Sequence, residues 1–533
     1  MTEEIFWYSH LEAKASREAA IIVDAFGERG IDIGGEIDEA EHDRDLHRGG
    51  IAFMYDRDHI LTREQYLGGE GGRHGPRRPV DAKRPRGVLD VFQDDDHRVP
   101  EVEVIRVVGD VVLLCLNPRR HKHTRDHDYG DEGGGEHADV LDLLRLIDEE
   151  LGEGIATPDH VLTAAQHLRP CSATEPEPPY PTAGPYPAVC RDGGARVRIF
   201  QADTGLVAGA AETFPWLAGV SGEPDPRESG GTILPYGGHG TFVAGVLRCM
   251  APEAHVHVAN IFDLAGSARE SDAATRLKAA FGFGFEIIHI TASCHTRKNI
   301  PPQALEGFLE LLRPYKGAIC VAEAGNNHTR RPSWPGAFRD VLSVGALATD
   351  WRHLADFSNY GGWVDVYAPG ENLINAIGTG TYTYQIPPIP PGGQATFSGL
   401  AQWSGTSFSA PIVTGLIAAR MTRCGESARE AAAALLAKAR SQTIPGVGPV
   451  LFPECHGGDE HCGRCEGDGG RCGCRCGRGE GYSGGCGCGR CCGGESRSGG
   501  CGCGRCGRGE GYSGGLWPWV ARACDALSGG PRH

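Results

Sequence analysis

The sequence predicts an α/β fold: a doubly wound domain with a mainly parallel sheet, preceded by a smaller α/β region and followed by an irregular Cys/Gly-rich tail. Between residues 193 and 440, apolar strand-like runs alternate with helix-like segments, as in a parallel sheet covered by helices. Seven prolines in residues 170–187 mark a boundary before this domain. From residue 453 onward, 14 of 81 residues are cysteine and 27 are glycine. We therefore divide the chain into an N-terminal region (1–169), a Pro-rich linker (170–190), a main domain (191–445) and a tail (453–533).

Composition and charge narrow the classes of partner. The 533 residues carry a net charge of −17, which disfavours a nucleic-acid partner held by a basic face. No run approaches 18 apolar residues, so no membrane span is expected. The acidic N-terminus, Met1 to Trp7, lacks the apolar stretch of a secretory signal. We expect a cytoplasmic protein with reduced thiols, with export by an unconventional route as the alternative.

The N-terminal region is predicted to be mixed α/β. Its His121-x-His123 pair has the spacing of metal ligands, but no third ligand is fixed nearby, so a solvated loop is the favoured interpretation. The predicted elements are a helix over 12–29 ending at Gly30, a hairpin over 101–116 with a two-residue turn at Gly109-Asp110, and a helix over 137–151.

Three short motifs in the main domain each present one reactive side chain. A strand over 198–205 carries Asp203 at the edge where open α/β sheets place their sites. Glycines flank His239 at a helix start, which lets a histidine stand close to another backbone. Ser407 precedes an apolar helical run, where N–H groups stabilise negative charge, and Pro411 suits a first helical turn. Singly, the first two motifs are more often a turn and a capped helix.

Together the three motifs resemble those of the subtilisin-like serine proteases, the subtilase family (peptidase S8). The chain order Asp203, His239, Ser407 is that of the family, here with spacings of 36 and 168 residues. The segment 405–411 reads Gly-Thr-Ser-Phe-Ser-Ala-Pro, close to the family's nucleophile motif, with Phe and Ser in place of the commonest Met and Ala. The resemblance covers roughly residues 193–440 and implies a subtilisin-like fold.

The resemblance also implies the role of each site residue. Ser407 would be the nucleophile, His239 the base that takes its proton, and Asp203 the group that holds the imidazole in the right tautomer. Residues 321–326 resemble the strand and turn that present the family's oxyanion asparagine, so Asn326 inherits that role beside the Ser407 backbone N–H. Further family landmarks follow in order at residues 333–335, 341–346, 357–361 and 366–370.

The substrate-binding residues implied by the resemblance include two departures from the family. The substrate-pairing strand usually ends in Ser-x-Gly, whereas this chain has Thr291 to Ser293; pairing should persist because it uses main-chain groups. Glu323 stands where the family has a small residue beside the specificity pocket. It predicts either a preference for Lys or Arg at the cleaved residue or a wall residue pointing to solvent. The full predicted set is Thr291, Ala292, Ser293, Glu323, Ala324 and Gly325.

The predicted function is a serine endopeptidase that hydrolyses peptide bonds through an acyl-enzyme on Ser407. One alternative is a dedicated maturation protease for a specific, perhaps Cys/Gly-rich, peptide. The other is a catalytically silent binding protein with the same fold. No cofactor is required by this chemistry and no catalytic metal is predicted, although calcium is frequent in the family. The N-terminal region is interpreted equally well as a propeptide, which assists folding and blocks the cleft, or as a recruitment domain.

The tail repeats two short motifs. The segment 477–485 recurs unchanged at 507–515, and Cys-Gly-Arg-Cys occurs at 462–465, 488–491 and 503–506. Two-residue spacing between thiolates suits a zinc site, but the near absence of apolar residues favours a flexible extension. Disulfide formation after export and a peptide-like substrate are the remaining interpretations.

Overall fold

The computed structural model of this chain describes residues 22, 30–34, 53–68, 86–92, 102–116, 139–164, 175–263, 265–385 and 391–453. The predicted first helix, apart from residue 22, lies outside these ranges. So do the His121/His123 pair and the tail beyond Pro453, and the predictions made for them stay predictions.

The N-terminal region contains a small antiparallel sheet with a helix packed on it. The predicted hairpin is present, turning at Gly109 and Asp110. The predicted second helix is also present, and Asp139 caps it by accepting a hydrogen bond from Leu141 N at 2.7 Å. Its elements are β1 (Ile31–Gly34), β2 (Phe53–Arg63), α1 (Val88–Val91), β3 (Glu103–Val108), β4 (Val111–Cys115), α2 (Val140–Leu151) and β5 (Ala156–Thr163).

The main domain alternates strands and helices as the sequence predicts. Its elements are β6 (Arg198–Asp203), α3 (Ala210–Thr213), β7 (Ser221–Gly222), β8 (Glu228–Ser229), β9 (Thr232–Ile233), α4 (His239–Met250), β10 (His255–Asn260), β11 (Ser267–Arg269), α5 (Glu270–Leu277), α6 (Ala279–Phe283), β12 (Ile287–Ile290), α7 (Gln303–Leu312), β13 (Ile319–Glu323), β14 (Val341–Leu347), β15 (Val366–Pro369), β16 (Leu373–Thr383), β17 (Gln394–Trp403), α8 (Thr406–Cys424) and α9 (Ala428–Ser441).

A seven-stranded parallel sheet in the order β15-β14-β13-β12-β6-β10-β7 forms the centre of the main domain. Side chains alternate between its two faces, so Ile199 joins the core formed with α4, α8 and α9, while its neighbour Phe200 joins the core with α5 and α7. All strands point the same way, and the carboxyl ends of β6, β12 and β13 therefore lie together at one edge, where α/β sheets place their sites.

The N-terminal sheet packs on the outer face of α5 and α7. Leu61 and Leu162 share a core with Leu277 and Phe308. Strand β5 lies between β2 and β11, so one strand of the main domain completes the N-terminal sheet. The two regions are thus joined by main-chain hydrogen bonds as well as by apolar contact.

Two local expectations differ from the structure. Helix α8 begins at Thr406, before the proposed nucleophile Ser407 rather than after it. Pro411 is therefore the sixth residue of the helix and lies beyond its first turn. The described part of the Pro-rich segment, residues 175–190, pairs with the main domain: Glu177 and Gln402 exchange backbone hydrogen bonds, and so do Tyr186 and Ile374. This part of the segment is therefore held on β16 and β17 rather than free.

Within the described ranges, no helix combines the length and the apolar character needed to cross a membrane.

Candidate active site

Asp203 and His239 form a buried hydrogen-bonded pair. Asp203 ends β6 and His239 begins α4, and their Oδ1 and Nδ1 atoms are 2.7 Å apart. Burial alone would raise the pKa of Asp203, but the charge and hydrogen bond of His239 outweigh it and hold that pKa below its usual value. Burial alone would lower the pKa of His239, and the charge of Asp203 raises it instead. Each partner thus favours the charged form of the other.

The backbone around this pair is braced by local hydrogen bonds. Asp203 also accepts from Thr204 N at 2.7 Å, and the Thr204 hydroxyl accepts from Gly240 N at 2.9 Å, which ties the end of β6 to the start of α4. Gly238 has φ +77°, and a Cβ there would lie 2.6 Å from the side chain of Ile377. Only glycine fits this approach without strain, so the turn that presents His239 depends on it.

Ser407 and Asn326 meet at the start of α8. Ser407 is the second residue of that helix, where backbone N–H groups have no partner within the helix. Asn326 lies in the turn after β13, and its Oδ1 accepts from Thr406 N and Thr406 Oγ1, both at 2.8 Å. These two bonds fix the orientation of the amide, so its Nδ2 is directed away from the Thr406 backbone.

Two polar atoms near Ser407 have no hydrogen-bond partner among the described residues: His239 Nε2 and Asn326 Nδ2. Both belong to fully buried side chains. Buried polar atoms are normally paired, and the exceptions in a native structure call for a specific reason. A bound molecule would satisfy both atoms if it offered a donor to His239 Nε2 and an acceptor to Asn326 Nδ2.

The Ser407 hydroxyl is hydrogen-bonded to Glu323 and to the N-terminal region. Its Oγ donates to Glu323 Oε2 and lies 3.3 Å from the Ala164 carbonyl oxygen. Glu323 Oε1 accepts from Ser293 Oγ at 3.0 Å. Burial raises the pKa of Glu323 to about 7, against the lowering effect of its bond to Ser407.

The end of β5 lies beside these residues as an extended segment. Thr163 and Ser293 exchange two backbone hydrogen bonds of 3.0 Å, and Ala164 N donates to Gly266 O at 2.8 Å. The segment is therefore held on both sides by main-chain groups. This is the arrangement in which a peptide adds a strand to an exposed edge.

The other predicted substrate-binding residues support the site from behind. The Thr291 hydroxyl donates a hydrogen bond to Asp203 and is thus one of the groups that hold this carboxylate. Ala292 is buried in the core next to α5 and α7. Ala324 O accepts from the Asn359 side chain at 2.8 Å. Gly325 N donates to Thr406 Oγ1 at 3.1 Å.

Sequence reasoning missed three contacts at the site. The ring of Trp403 lies edge-on to His239 with centroids 5.4 Å apart, and Phe408 packs at 5.3 Å. Trp403 closely precedes the Ser-Gly-Thr-Ser run, which was a signal available in the sequence. Ala164 carries no such signal, because its contact with Ser407 spans 243 residues.

The described part of the chain holds no group of three or more His, Cys, Asp or Glu side chains placed to bind a metal ion. The calcium and zinc expectations stay predictions.

Comparisons with known proteins agree with this geometry. Residues 204–451 match the model of the subtilase family. A thermophilic serine proteinase of Bacillus sp. (strain AK1) is 32% identical over 190 residues, which are 34% of this chain and 41% of that protein. An intracellular serine protease of Paenibacillus polymyxa is 27% identical over 42% of this chain and 66% of its own length. The chain thus spans about half the length of these curated relatives.

Among solved structures, the patellamide maturation protease PatA is 29% identical to this chain, with a TM-score of 0.37 over 46% of this chain and 88% of that chain. Residues 204–451 thus match the subtilase family of serine proteases, and the parallel sheet and the Asp203–His239 pair agree with that match.

Proposed function

We propose that this chain is a serine endopeptidase that cleaves peptide bonds through an acyl-enzyme on Ser407. The observation that carries the proposal is the buried Asp203–His239 pair at the edge of the sheet, close to Ser407 in the first turn of α8; among the described residues, His239 Nε2 has no hydrogen-bond partner. A pair of this kind is the arrangement that activates a serine hydroxyl.

The proposed reaction begins with attack of Ser407 Oγ on the carbonyl carbon of the scissile bond. A C–O bond forms while His239 Nε2 takes the hydroxyl proton, and the same proton then passes to the leaving amine as the C–N bond breaks. Water hydrolyses the acyl-enzyme by the reverse sequence, with His239 again the base. Asp203 keeps Nδ1 protonated and stabilises the imidazolium throughout.

The proposed oxyanion site consists of Asn326 Nδ2 and the Ser407 backbone N–H. Asn326 Nδ2 has no hydrogen-bond partner among the described residues, and its amide is held by Thr406 before any substrate arrives. Donors fixed in advance need no reorganisation when negative charge develops on the carbonyl oxygen. Ser407 Oγ has to rotate from Glu323 towards His239 for the attack, a change of one side-chain torsion.

The test is covalent labelling of the full-length chain with a fluorophosphonate probe. We expect label on the wild type and none on Ser407→Ala. A matched control is Ser409→Ala: Ser409 lies in the same helix, and its hydroxyl bonds only to Thr406 O, at 3.0 Å, so this variant should still be labelled. Folded protein without Ser407-dependent label, both in the wild type and after the N-terminal region has been cut from the main domain, would leave the silent binding protein as the better explanation.

We further propose that the N-terminal region is an intramolecular inhibitor of the same site. The end of β5 pairs with Ser293 and with Gly266, and the Ala164 carbonyl contacts the proposed nucleophile. A segment held this way excludes a substrate strand from the same edges. This observation favours the propeptide interpretation over the recruitment domain.

Self-processing can be followed by mass spectrometry of the chain termini during incubation. We expect a new N-terminus on the C-terminal side of residue 164 in the wild type and an intact chain in Ser407→Ala. New termini within the tail would instead favour a protease that matures its own C-terminal peptide. An N-terminal region that stays attached and leaves Ser407 freely labelled would contradict the inhibitor proposal.

A further inference from the structure

Hydrogen bonds of Glu323 connect the ends of β12 and β13, the two neighbouring strands beside Ser407. It is the last residue of β13, and its carboxyl accepts hydrogen bonds from Ser293, which follows β12, and from Ser407. The side chain is fully buried. Its carboxyl therefore fills the space beside the proposed nucleophile and is held there from two sides.

The space that Glu323 fills is narrow. Gly325 faces Ser293 from the β13 side, and a Cβ at Gly325 would lie 3.5 Å from Ser293 Oγ and 3.0 Å from Ser333 Oγ. Asn359 Nδ2 would lie nearer still, at 2.6 Å, so the backbone next to Glu323 is packed too closely for a side chain at Gly325.

The segment that lies in the cleft has short side chains. Thr163 pairs with Ser293, and Ala164, whose carbonyl oxygen lies 3.3 Å from Ser407 Oγ, has only a methyl group as its side chain. Among the described residues, the contacts of the Glu323 carboxyl are with hydroxyl groups, and no cation pairs with it. When Ser407 turns towards His239 its bond to Glu323 breaks, but Ser293 keeps its bond to Glu323 Oε1, so the side chain stays in the space beside the nucleophile.

The geometry points to Glu323 as a specificity-determining residue that closes the pocket for the side chain of the cleaved residue and restricts it to Gly, Ala or Ser. This inference rests on the proposed function, because it assumes that Ser407 attacks the carbonyl of that residue. It predicts that the cleaved residue is selected for a small side chain, instead of for the positive charge of Lys or Arg.

The test uses peptides of one sequence that differ only at the cleaved residue: Ala, Leu, Phe or Lys. Each is assayed with unlabelled full-length chain, at a stage of incubation where separate samples take up the fluorophosphonate at Ser407 at a constant rate. We expect the wild type to prefer Ala over Leu and Phe by at least about 10-fold in kcat/KM. In Glu323→Ala, the kcat/KM of the Leu and Phe peptides relative to that of the Ala peptide should rise by at least about 10-fold. Glu323→Gln has the same size, and its amide can accept a hydrogen bond from one of the two hydroxyls and donate one to the other, so it should keep the wild-type order.

Other outcomes overturn the inference. A wild type that prefers Lys, with the preference lost in Glu323→Gln, identifies a charge receptor. An unchanged order in Glu323→Ala and in a second shortened variant, Glu323→Ser, identifies a wall residue without influence on size. In both cases Ser407 still takes up the fluorophosphonate. Loss of labelling in the wild type would overturn the proposed function itself.

Discussion

His239 is held in one orientation by its bond to Asp203. Because Nδ1 donates in that bond, Nε2 is the nitrogen left to accept a proton from Ser407. We predict that Asp203→Asn lowers kcat by about 10⁴, since an amide at this position favours the opposite tautomer. Steady-state kinetics on a peptide substrate measures this, and an unchanged melting midpoint would show that the variant still folds. A loss below 10-fold would contradict the assigned role.

The charge of Glu323 also acts on His239. It raises the pKa of His239, alongside the larger effect of Asp203. Only neutral His239 can act as the base, so activity should fall as pH drops through that pKa. We predict that Glu323→Gln moves this acid limb of kcat/KM to lower pH, because the variant removes a negative charge that favours imidazolium. A profile between pH 5 and 9 that superimposes on the wild type would exclude this coupling.

Asn326 contributes through its Nδ2 atom alone, because its Oδ1 is occupied by Thr406. We predict that Asn326→Ala lowers kcat by about 10²–10³ with little change in KM, as expected for an interaction made only in the transition state. Single-turnover kinetics would measure the acylation step. A rise in KM at constant kcat would show instead that Asn326 binds the ground state.

Strand β5 inhibits, on our proposal, through its main chain. We predict that Thr163→Pro increases the initial rate of fluorophosphonate labelling of freshly purified chain by about 5-fold. The substitution removes the N–H that donates to Ser293 O, and a backbone hydrogen bond contributes about 1 kcal/mol. Thr163→Val keeps the N–H and should label at the wild-type rate. Equal rates in both variants would show that side chains hold the segment.

Elements with local signals were predicted from the sequence, and elements made by distant pairing were not. The hairpin of β3 and β4 follows from its Gly-Asp turn, and α2 follows from its apolar residues at helical spacing. In contrast, all eight residues of β5 are buried, so the strand has no alternating pattern that sequence reasoning could detect. The sequence analysis singled out Glu323 as a residue near the site. Its hydrogen bond to Ser407 joins residues 84 positions apart, so it could be seen only in the folded structure.

At the scale of the whole molecule, the N-terminal region docks through buried titratable groups. Burial raises the pKa of Asp159 to about 7 and that of Glu270 to about 8. Burial lowers the pKa of His160 to about 3, and its neutral ring lies between Glu270 and the backbone N–H of Arg297. Burial opposes the shift in His59, but its bond to a buried carboxylate raises its pKa to about 10. Asp159, His160 and His59 belong to the N-terminal region, and Glu270 to α5.

These pKa values give the docking a pH dependence. A carboxyl with a raised pKa holds a proton when docked and releases it when exposed, so docking weakens as pH rises towards that pKa. Asp159 acts in this direction up to about pH 7, Glu270 up to about pH 8 and His59 from its usual pKa of 6.5 up to about pH 10, whereas His160 opposes them below pH 6.5. The net effect is weaker docking at higher pH.

We predict that the unfolding midpoint of the uncleavable Ser407→Ala chain falls between pH 6 and 9. Asp159→Asn in that background should reduce the fall between pH 6 and 8. The amide has no proton to lose, and it can keep the contacts with Ser271 N and Ser271 Oγ, now 3.0 and 2.5 Å from Asp159. Calorimetry at several pH values makes the comparison. A midpoint that rises with pH would contradict the assigned direction.

Strand β11 belongs to the main domain yet completes the N-terminal sheet, and this has a kinetic consequence. While the two regions share one chain, β5 competes for β11 at the high local concentration of a tethered ligand, on the order of millimolar. A cut after residue 164 abolishes that advantage without altering a single contact. Inhibition would then depend on total protein concentration, so simple dilution would release the enzyme.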